Sequence, residues 1–291
     1  MKIGLVYPQT EFGSDPAAIR DYAQLAEELG FSHILAYDHV LGANPDRPGG
    51  WQGPYTFHHP FIEPVTLFSY MAGFTEHIQF TTGIVILPQR QTALFAKQAA
   101  TLDVLSKGRL RVGVGLGWNE LEYIALNEDF HTRGKRLEEQ IAVLRQLWTQ
   151  PLVNFSGRWH TLPDVGLNPL PLQQPIPLWI GGTAPAALRR AARLADGWLI
   201  STTRKVADIL PSLDLIRQTL EETGCPHSDF GLEARLVYGE GDTDVWKSQI
   251  DEWKVAGMTH LSFNTMGRGL DTPLKHLAAV QKIATVLESG K

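Results

Sequence analysis

The dipeptide Asp38-His39 closes an apolar run, HILAYDH (33–39). A histidine at a strand end can donate a hydrogen bond, shuttle a proton or stabilise developing negative charge. Asp38 either works beside it or caps the next helix or loop. A second stretch, RVGVGLGWNELEY (111–123), sets glycine at 113, 115 and 117, then Trp118 and Asn119. In a strand these glycines share one face, so that face carries no side chains. Either a flat, bulky ligand lies against it, the reading favoured for a strand at a barrel mouth, or a neighbouring element packs very closely. The order is G-x-G-x-G, not G-x-G-x-x-G, and no acidic residue follows at the distance a ribose needs, which argues against a dinucleotide cradle. TTGIVILP (81–88) places Gly83 inside another apolar run, the mark of a bulge or of close approach to the backbone. WIGGTAPAALRRAARLADGW (179–198) ends a strand in Gly181-Gly182, followed by Thr183 and a helix start near Ala184 or Pro185. The N–H groups there, with the Thr183 hydroxyl, suit a phosphate; a tight turn with a threonine cap fits the same residues.

Other chemistries find no support. His58 and His59 are adjacent and would point apart in a strand, and no H-x-x-x-H with a carboxylate partner occurs, so no metal site is expected. There is no G-x-S-x-G elbow and no strand-end lysine suited to a Schiff base.

Positioning these groups falls to alternating short apolar runs and amphipathic runs. Strand candidates lie at 3–8, 33–39, 78–87, 109–115, 177–182, 197–202, 232–239 and 260–266. Residues 15–30 read as a helix, with Asp15 as cap, Pro16 in the first turn, Gly30 closing it, and Ile19, Tyr22, Ala23, Ala26 and Leu29 at helical spacing. Residues 135–149 form another, with Leu137, Ile141, Leu144 and Trp148 on one side. LGFSHILAYDH and AGMTHLSFNTM echo one another, as if one joint were used twice. Eight strand–helix units of roughly 36 residues fit a (β/α)8 barrel. A doubly wound sheet would put a glycine cradle after its first strand, and YPQTEFGSDP has none. The expectation is one α/β domain over 1–291, a (β/α)8 TIM barrel with loop insertions at its C-terminal face. Barrel polarity makes strand-end residues functional and strand-start residues structural, so His33 and His260 read as structural. Two connections are long. Residues 40–62, carrying Trp51, Tyr55, Phe57, His58 and His59, follow a strand's C-terminal end and read as functional. Residues 151–176, around a hairpin VNFSGRWHTL, read equally as functional or as a plain excursion.

Composition narrows the partners. Lys and Arg number 26 against 31 Asp and Glu, a net charge of −5, so nucleic acid is not expected. No apolar run approaches the roughly 18 residues of a membrane span, and KIGLVYP opens without a signal-peptide pattern. A cytoplasmic protein acting on a small molecule is expected. The single cysteine, Cys225, reads as a loop thiol after a helix ending at Gly224 and rules out an internal disulfide framework.

HILAYDH, TTGIVILPQRQTALFAKQAATLDVLSKGRLRVGVGLGWNELEY, RGKRLEEQIAVLRQLW and PLWIGGTAPAALRRAARLADGWL together resemble the bacterial luciferase-like flavin and deazaflavin oxidoreductases over most of the chain. The resemblance implies a barrel that binds FMN or coenzyme F420 at its C-terminal mouth. It places a bulge, often with a non-proline cis peptide, behind the ring at Thr82, Gly83 and Ile84. Leu116, Gly117, Trp118 and Asn119 would lie beside the ring or its ribityl chain, and Gly181, Gly182 and Thr183 would hold the phosphate. His39, with Asp38, falls near the reacting carbon. The 40–62 loop, through Trp51 and His59, would shape the substrate site. One departure stands out: some F420-dependent sugar and alcohol dehydrogenases carry a glutamate where this chain has Trp118. That leaves His39 as the better acid–base candidate, with Glu122 behind it. The GVGLGWNELEY…RGKRLEE stretch resembles the F420 branch and favours F420 over FMN. An FMN-dependent monooxygenase, or a flavin-holding barrel without turnover, is the alternative. A homo-oligomer, such as a dimer, is implied by resemblance alone.

Overall fold

In the computed structural model, which describes residues 1–200, 205–224, 226–239 and 243–288, the strands follow the apolar runs. First come β1 (Lys2–Val6), β2 (His33–Ala36), β3 (Gln79–Thr82), β4 (Val85–Ile86) and β5 (Leu110–Gly115). A hairpin, β6 (Val153–Ser156) and β7 (Thr161–Val165), precedes β8 (Leu178–Gly181), β9 (Gly197–Leu199), β10 (Gly231–Val237) and β11 (His260–Asn264). Parallel pairing runs β1–β2–β3–β5–β8–β9–β10–β11, and β11 pairs back with β1, Lys2 opposite His260. β3 and β4 both pair with β5 and form one barrel strand, broken at Gly83. The result is a closed parallel barrel of eight strand positions, the (β/α)8 barrel expected.

The helices pack outside: α1 (Pro16–Glu28), α2 (Pro64–Ala72), α3 (Thr92–Leu105), α4 (Glu120–Ala125), α5 (Arg133–Thr149), α6 (Pro185–Leu194), α7 (Val206–Thr223), α8 (Thr243–Val255) and α9 (Pro273–Glu288). α1 forms as its sequence dictates. Asp15 accepts from Ala17 N, Pro16 opens the helix, and Ile19, Tyr22, Ala23 and Ala26 are buried. Gly30 supplies the left-handed φ of +75° that ends the turn. In α5, Leu137, Ile141, Leu144 and Trp148 all lie in the core. No helix among the described residues is long and apolar enough to cross a membrane. Cys225 and residues 201–202 of the expected strand 197–202 lie outside the described residues.

Two strands are shorter than the apolar runs suggest. β2 ends at Ala36 because the Gln9 side chain takes over the Tyr37 backbone, accepting from its N–H and donating to its carbonyl. The run 78–87 is split at Gly83, whose N–H still donates to Ala36 O at 2.7 Å; the Gly83–Ile84 peptide is cis. The β6–β7 hairpin is pinned to the helices by His160, between Glu139 (2.8 Å) and Thr92 (2.6 Å).

Charged groups fill the barrel's N-terminal end. Glu233 accepts from Arg111 at 2.6 Å and from Ser262 at 2.6 Å, and meets His33 at 3.0 Å. The Arg111 guanidinium lies 4.0 Å from the Trp179 ring centroid, and the His260 ring meets Trp179 edge-on. Burial, then Arg111 and His33, push the His260 imidazole down to about 3. Burial also pushes His33 down, against the pull of Glu233. Above a pH of about 6.5 both histidines are neutral folded and unfolded, so their cost is nil. Below it the unfolded chain binds protons that the folded one refuses, and stability falls by up to about 1.4 kcal/mol per pH unit for each group. The urea midpoint is therefore expected to be lower at about pH 5.5 than at about pH 7.5, with His260→Gln removing part of the difference. Equal midpoints would refute this.

Candidate active site

At the C-terminal mouth the barrel opens into a cavity of about 610 Å³. Its back wall is the broken strand. A Cβ on Gly83 would overlap the buried Leu35 side chain, which would have to move. Ile84 then runs past Gly115 and Gly181, where a Cβ would sit 2.7 and 2.8 Å from its side chain. Gly117, with φ +66°, gives the same room to Ile86. The glycines at 113, 115 and 117 thus do not leave a bare face for a ligand. Gly113 makes room for the Thr82 carbonyl and Leu199, and the others for bulge residues. Close packing fills that face, a correction to the favoured reading of a bare face beside a ring. Gly83, Ile84, Ile86, Gly115, Leu116, Gly117 and Trp118 line the cavity.

Thr82 and Asn119 do not. The Thr82 hydroxyl donates to Gly113 O (2.7 Å) and accepts from Gly113 N (2.8 Å), tying the two strands behind the wall. Asn119 caps α4, accepting from Leu121 N. Asp38 reaches the cavity, but Arg90 donates to its carboxylate at 2.8 Å and Ile86 N at 3.1 Å. Burial raises its carboxyl against the opposing pull of Arg90. Asp38 is thus engaged by Arg90 and the Ile86 backbone and makes no hydrogen bond to His39, so the structure does not pair the two as the sequence suggested.

His39 faces the cavity, and its Nδ1 lies 3.2 Å from Glu122 Oε2. Glu122 is buried, not a solvated helix residue; its Oε1 accepts from Val40 N (2.8 Å) and Leu41 N (3.1 Å). Burial pushes the Glu122 carboxyl up, but His39 and the Leu41 and Val40 N–H groups outweigh it and hold it below the usual range. An ionised Glu122 accepts from Nδ1–H and leaves Nε2 for the cavity. Tyr55, Phe61 and Trp118 surround the imidazole at ring-centroid distances of 4.9, 4.8 and 5.9 Å.

The 40–62 loop brings Tyr55 to the cavity, while Trp51 and His59 stand behind it. Trp51 donates to Tyr55 O (2.7 Å) and packs, tilted, at 5.7 Å from the Trp118 ring. His59 accepts from Thr56 N and packs on Tyr55. Both brace Tyr55, and neither lines the cavity itself. No residue of 151–176 lines the cavity.

Gly181, Gly182 and Thr183 form one edge of the cavity. Gly182 has φ +126°, a conformation only glycine adopts readily, and its carbonyl accepts from Trp198 Nε1 at 2.7 Å. The N-cap of α6 is Ala184, and no side chain caps it. Thr183 is therefore not the cap, and the positive helix end faces the cavity edge. Arg133, at the start of α5, also lines the cavity; its Nε is buried without a partner. Arg133, Tyr37 and Arg235 are functional candidates that motif reading passed over, and Glu122, read there only as an outside candidate behind His39, is its hydrogen-bond partner. Among the described residues no cluster could hold a metal ion.

The luciferase-like monooxygenase family matches residues 1–282. An uncharacterized protein of Mycobacterium tuberculosis (strain ATCC 25618 / H37Rv) is 37% identical over 184 residues, 61% of this chain and 62% of that one. The chain thus matches less than two thirds of that relative's length. An F420-dependent glucose-6-phosphate dehydrogenase of Amycolatopsis mediterranei (strain U-32) is 31% identical over 247 residues, 82% of this chain and 69% of that one. The crystal structure of monooxygenase RslO1 from Streptomyces bottropensis superposes with a TM-score of 0.81 at 20% identity, covering 100% of this chain and 99% of that one. At that identity the likeness shows the fold alone.

Proposed function

The chain belongs to the luciferase-like monooxygenase family, and from that premise we propose an F420-dependent oxidoreductase that moves hydride to or from a small organic substrate. The observation that carries this is one cavity bringing together a histidine–carboxylate pair and an uncapped helix start. The residues fit a phosphate-bearing planar cofactor. The α6 N-terminus and the Gly181–Thr183 backbone suit the phosphate, and the Arg133 guanidinium lining the cavity offers a positive charge beside them. Ile84, flanked by Gly115 and Gly181, gives a flat apolar wall. When bound, the deazaflavin supplies a ring carbon that gives or accepts hydride.

The protein's own part is proton handling and water exclusion. His39 Nε2 takes the proton of an alcohol being oxidised, or returns it in reduction, while Glu122 holds the tautomer and steadies the imidazolium. Tyr55, Phe61 and Trp118 shield the imidazole from solvent. A proton relay serves hydride transfer, and the Amycolatopsis relative uses F420 by name; both favour F420 over FMN. The sugar-phosphate substrate is not carried over, because Trp118 stands where such dehydrogenases resemble one another in a glutamate.

Titration of the purified protein with F420 and with FMN tests the reading. F420 is expected to bind, with Arg133→Met weakening it about tenfold or more, the loss of one charged hydrogen bond to phosphate. FMN binding without F420 binding would overturn the cofactor assignment. Binding of neither would overturn the function.

A further inference from the structure

Arg235 is a cavity cation to which the proposed function assigns no role. It lies on β10, two residues after Glu233 and on the same inward face, 8% exposed, and lines the cavity. One Nη donates to Gly83 O at 3.1 Å and the other to Tyr37 Oη at 3.3 Å; the guanidinium lies 4.9 Å from the Tyr37 ring centroid. All these partners are neutral. Arg90, Arg111 and Arg136 each have an acid; Arg235 has none among the described residues. A nearly buried guanidinium with no counter-charge is costly to keep, and it has five donors, of which two are engaged. The others are available to a molecule in the cavity.

The surroundings say what that molecule carries. Tyr37 and Tyr55 line the same cavity as Arg235, and Tyr37 accepts from it. Neither carboxylate at the mouth competes, since Asp38 is bound to Arg90 and Glu122 to His39 and the loop backbone. Tyr55 also packs at 4.9 Å on His39, so the cation and the proton relay border one volume. Its walls are Tyr37, Tyr55, Trp118 and Ile84, aromatic and apolar. The geometry points to a substrate with a carboxylate on a planar apolar body. The carboxylate meets Arg235 and the Tyr37 and Tyr55 hydroxyls, and the body lies toward His39. This rests on reading the cavity as the substrate pocket.

Calorimetric titration with benzoate and with its neutral isostere benzamide tests this, on the protein alone and on protein saturated with F420. Benzoate is expected to bind at least about tenfold more tightly than benzamide, as a charged hydrogen bond implies. Arg235→Met should abolish the preference, Arg235→Lys should keep part of it, and Tyr55→Phe should reduce it. Arg133→Met should keep it, which separates this cation from the one assigned to phosphate. Equal binding of the two probes by the wild-type protein would overturn the proposal. So would a preference that survives Arg235→Met or vanishes in Arg133→Met, or an Arg235→Met variant that keeps its circular dichroism but loses F420 affinity tenfold. The protein-alone arm needs no cofactor, so failure of the F420 assignment and failure of the carboxylate assignment are read separately.

Discussion

Replacing His39 by asparagine is expected to lower turnover by about 10²–10⁴-fold while leaving F420 affinity within a few-fold, the usual share of a positioned acid–base group. The assay follows oxidised cofactor with the substrate returned by a screen of alcohols and activated alkenes. Glu122→Gln should fall in the same direction for a different reason. The glutamine oxygen must still accept from Val40 N and Leu41 N, as Glu122 Oε1 does now. Its amide NH2 then faces His39 Nδ1, which must become an acceptor. That moves the imidazole proton to Nε2 and presents the wrong tautomer to the cavity. Nitrogen-15 NMR reads the tautomer without any substrate: Nδ1–H in the wild-type protein, Nε2–H in Glu122→Gln. Unchanged turnover in His39→Asn would remove its role. An unchanged tautomer in Glu122→Gln would remove that of Glu122.

The sequence made the barrel readable because local and global preferences agree along most of it. Asp15, Pro16 and Gly30 punctuate α1 as their conformational preferences require, and its apolar spacing matches its buried face. The site was less readable because its key contacts cross long stretches of chain. Glu122 sits on a short helix that looks solvated; only the fold brings it to a histidine and a loop backbone some 80 residues earlier. The glycine run was legible as a place where side chains must be absent. What fills the space, Ile84 and Ile86 from a neighbouring strand, depends on the break at Gly83 and not on the run itself. One signal was available and unused: LEARLV places Glu233 and Arg235 at alternate positions in a buried strand. Period two puts both inside the barrel, where a charge needs either a partner or a ligand. Glu233 has found the first. Arg235, nearer the mouth, has not.

Removing that partner for Arg111 should cost more stability than any other single change at the closed end of the barrel. Burial pushes the Glu233 carboxyl up, but Arg111 and His33 outweigh it and hold the group well below the usual carboxylate range. It is therefore ionised at neutral pH. Glu233→Ala strands the Arg111 guanidinium, whose Nη1 is already buried without a partner, and opens a cavity beside His33 and Ser262. The expected loss is about 3–5 kcal/mol by urea unfolding near neutral pH, the cost of breaking a buried pair from one side. Replacing both charges, as Arg111→Met with Glu233→Leu, should recover much of it, because desolvation of the pair is no longer paid. Trp179 limits the recovery: it lies against Gly197 and Gly231, where a Cβ would collide with its ring, and the Arg111 guanidinium lies over it at 4.0 Å from the centroid. A methionine can replace that cover only in part, forgoing the cation–π attraction. A Glu233→Ala loss below about 1 kcal/mol would mean that water reaches Arg111 from the N-terminal end and that the network is not sealed.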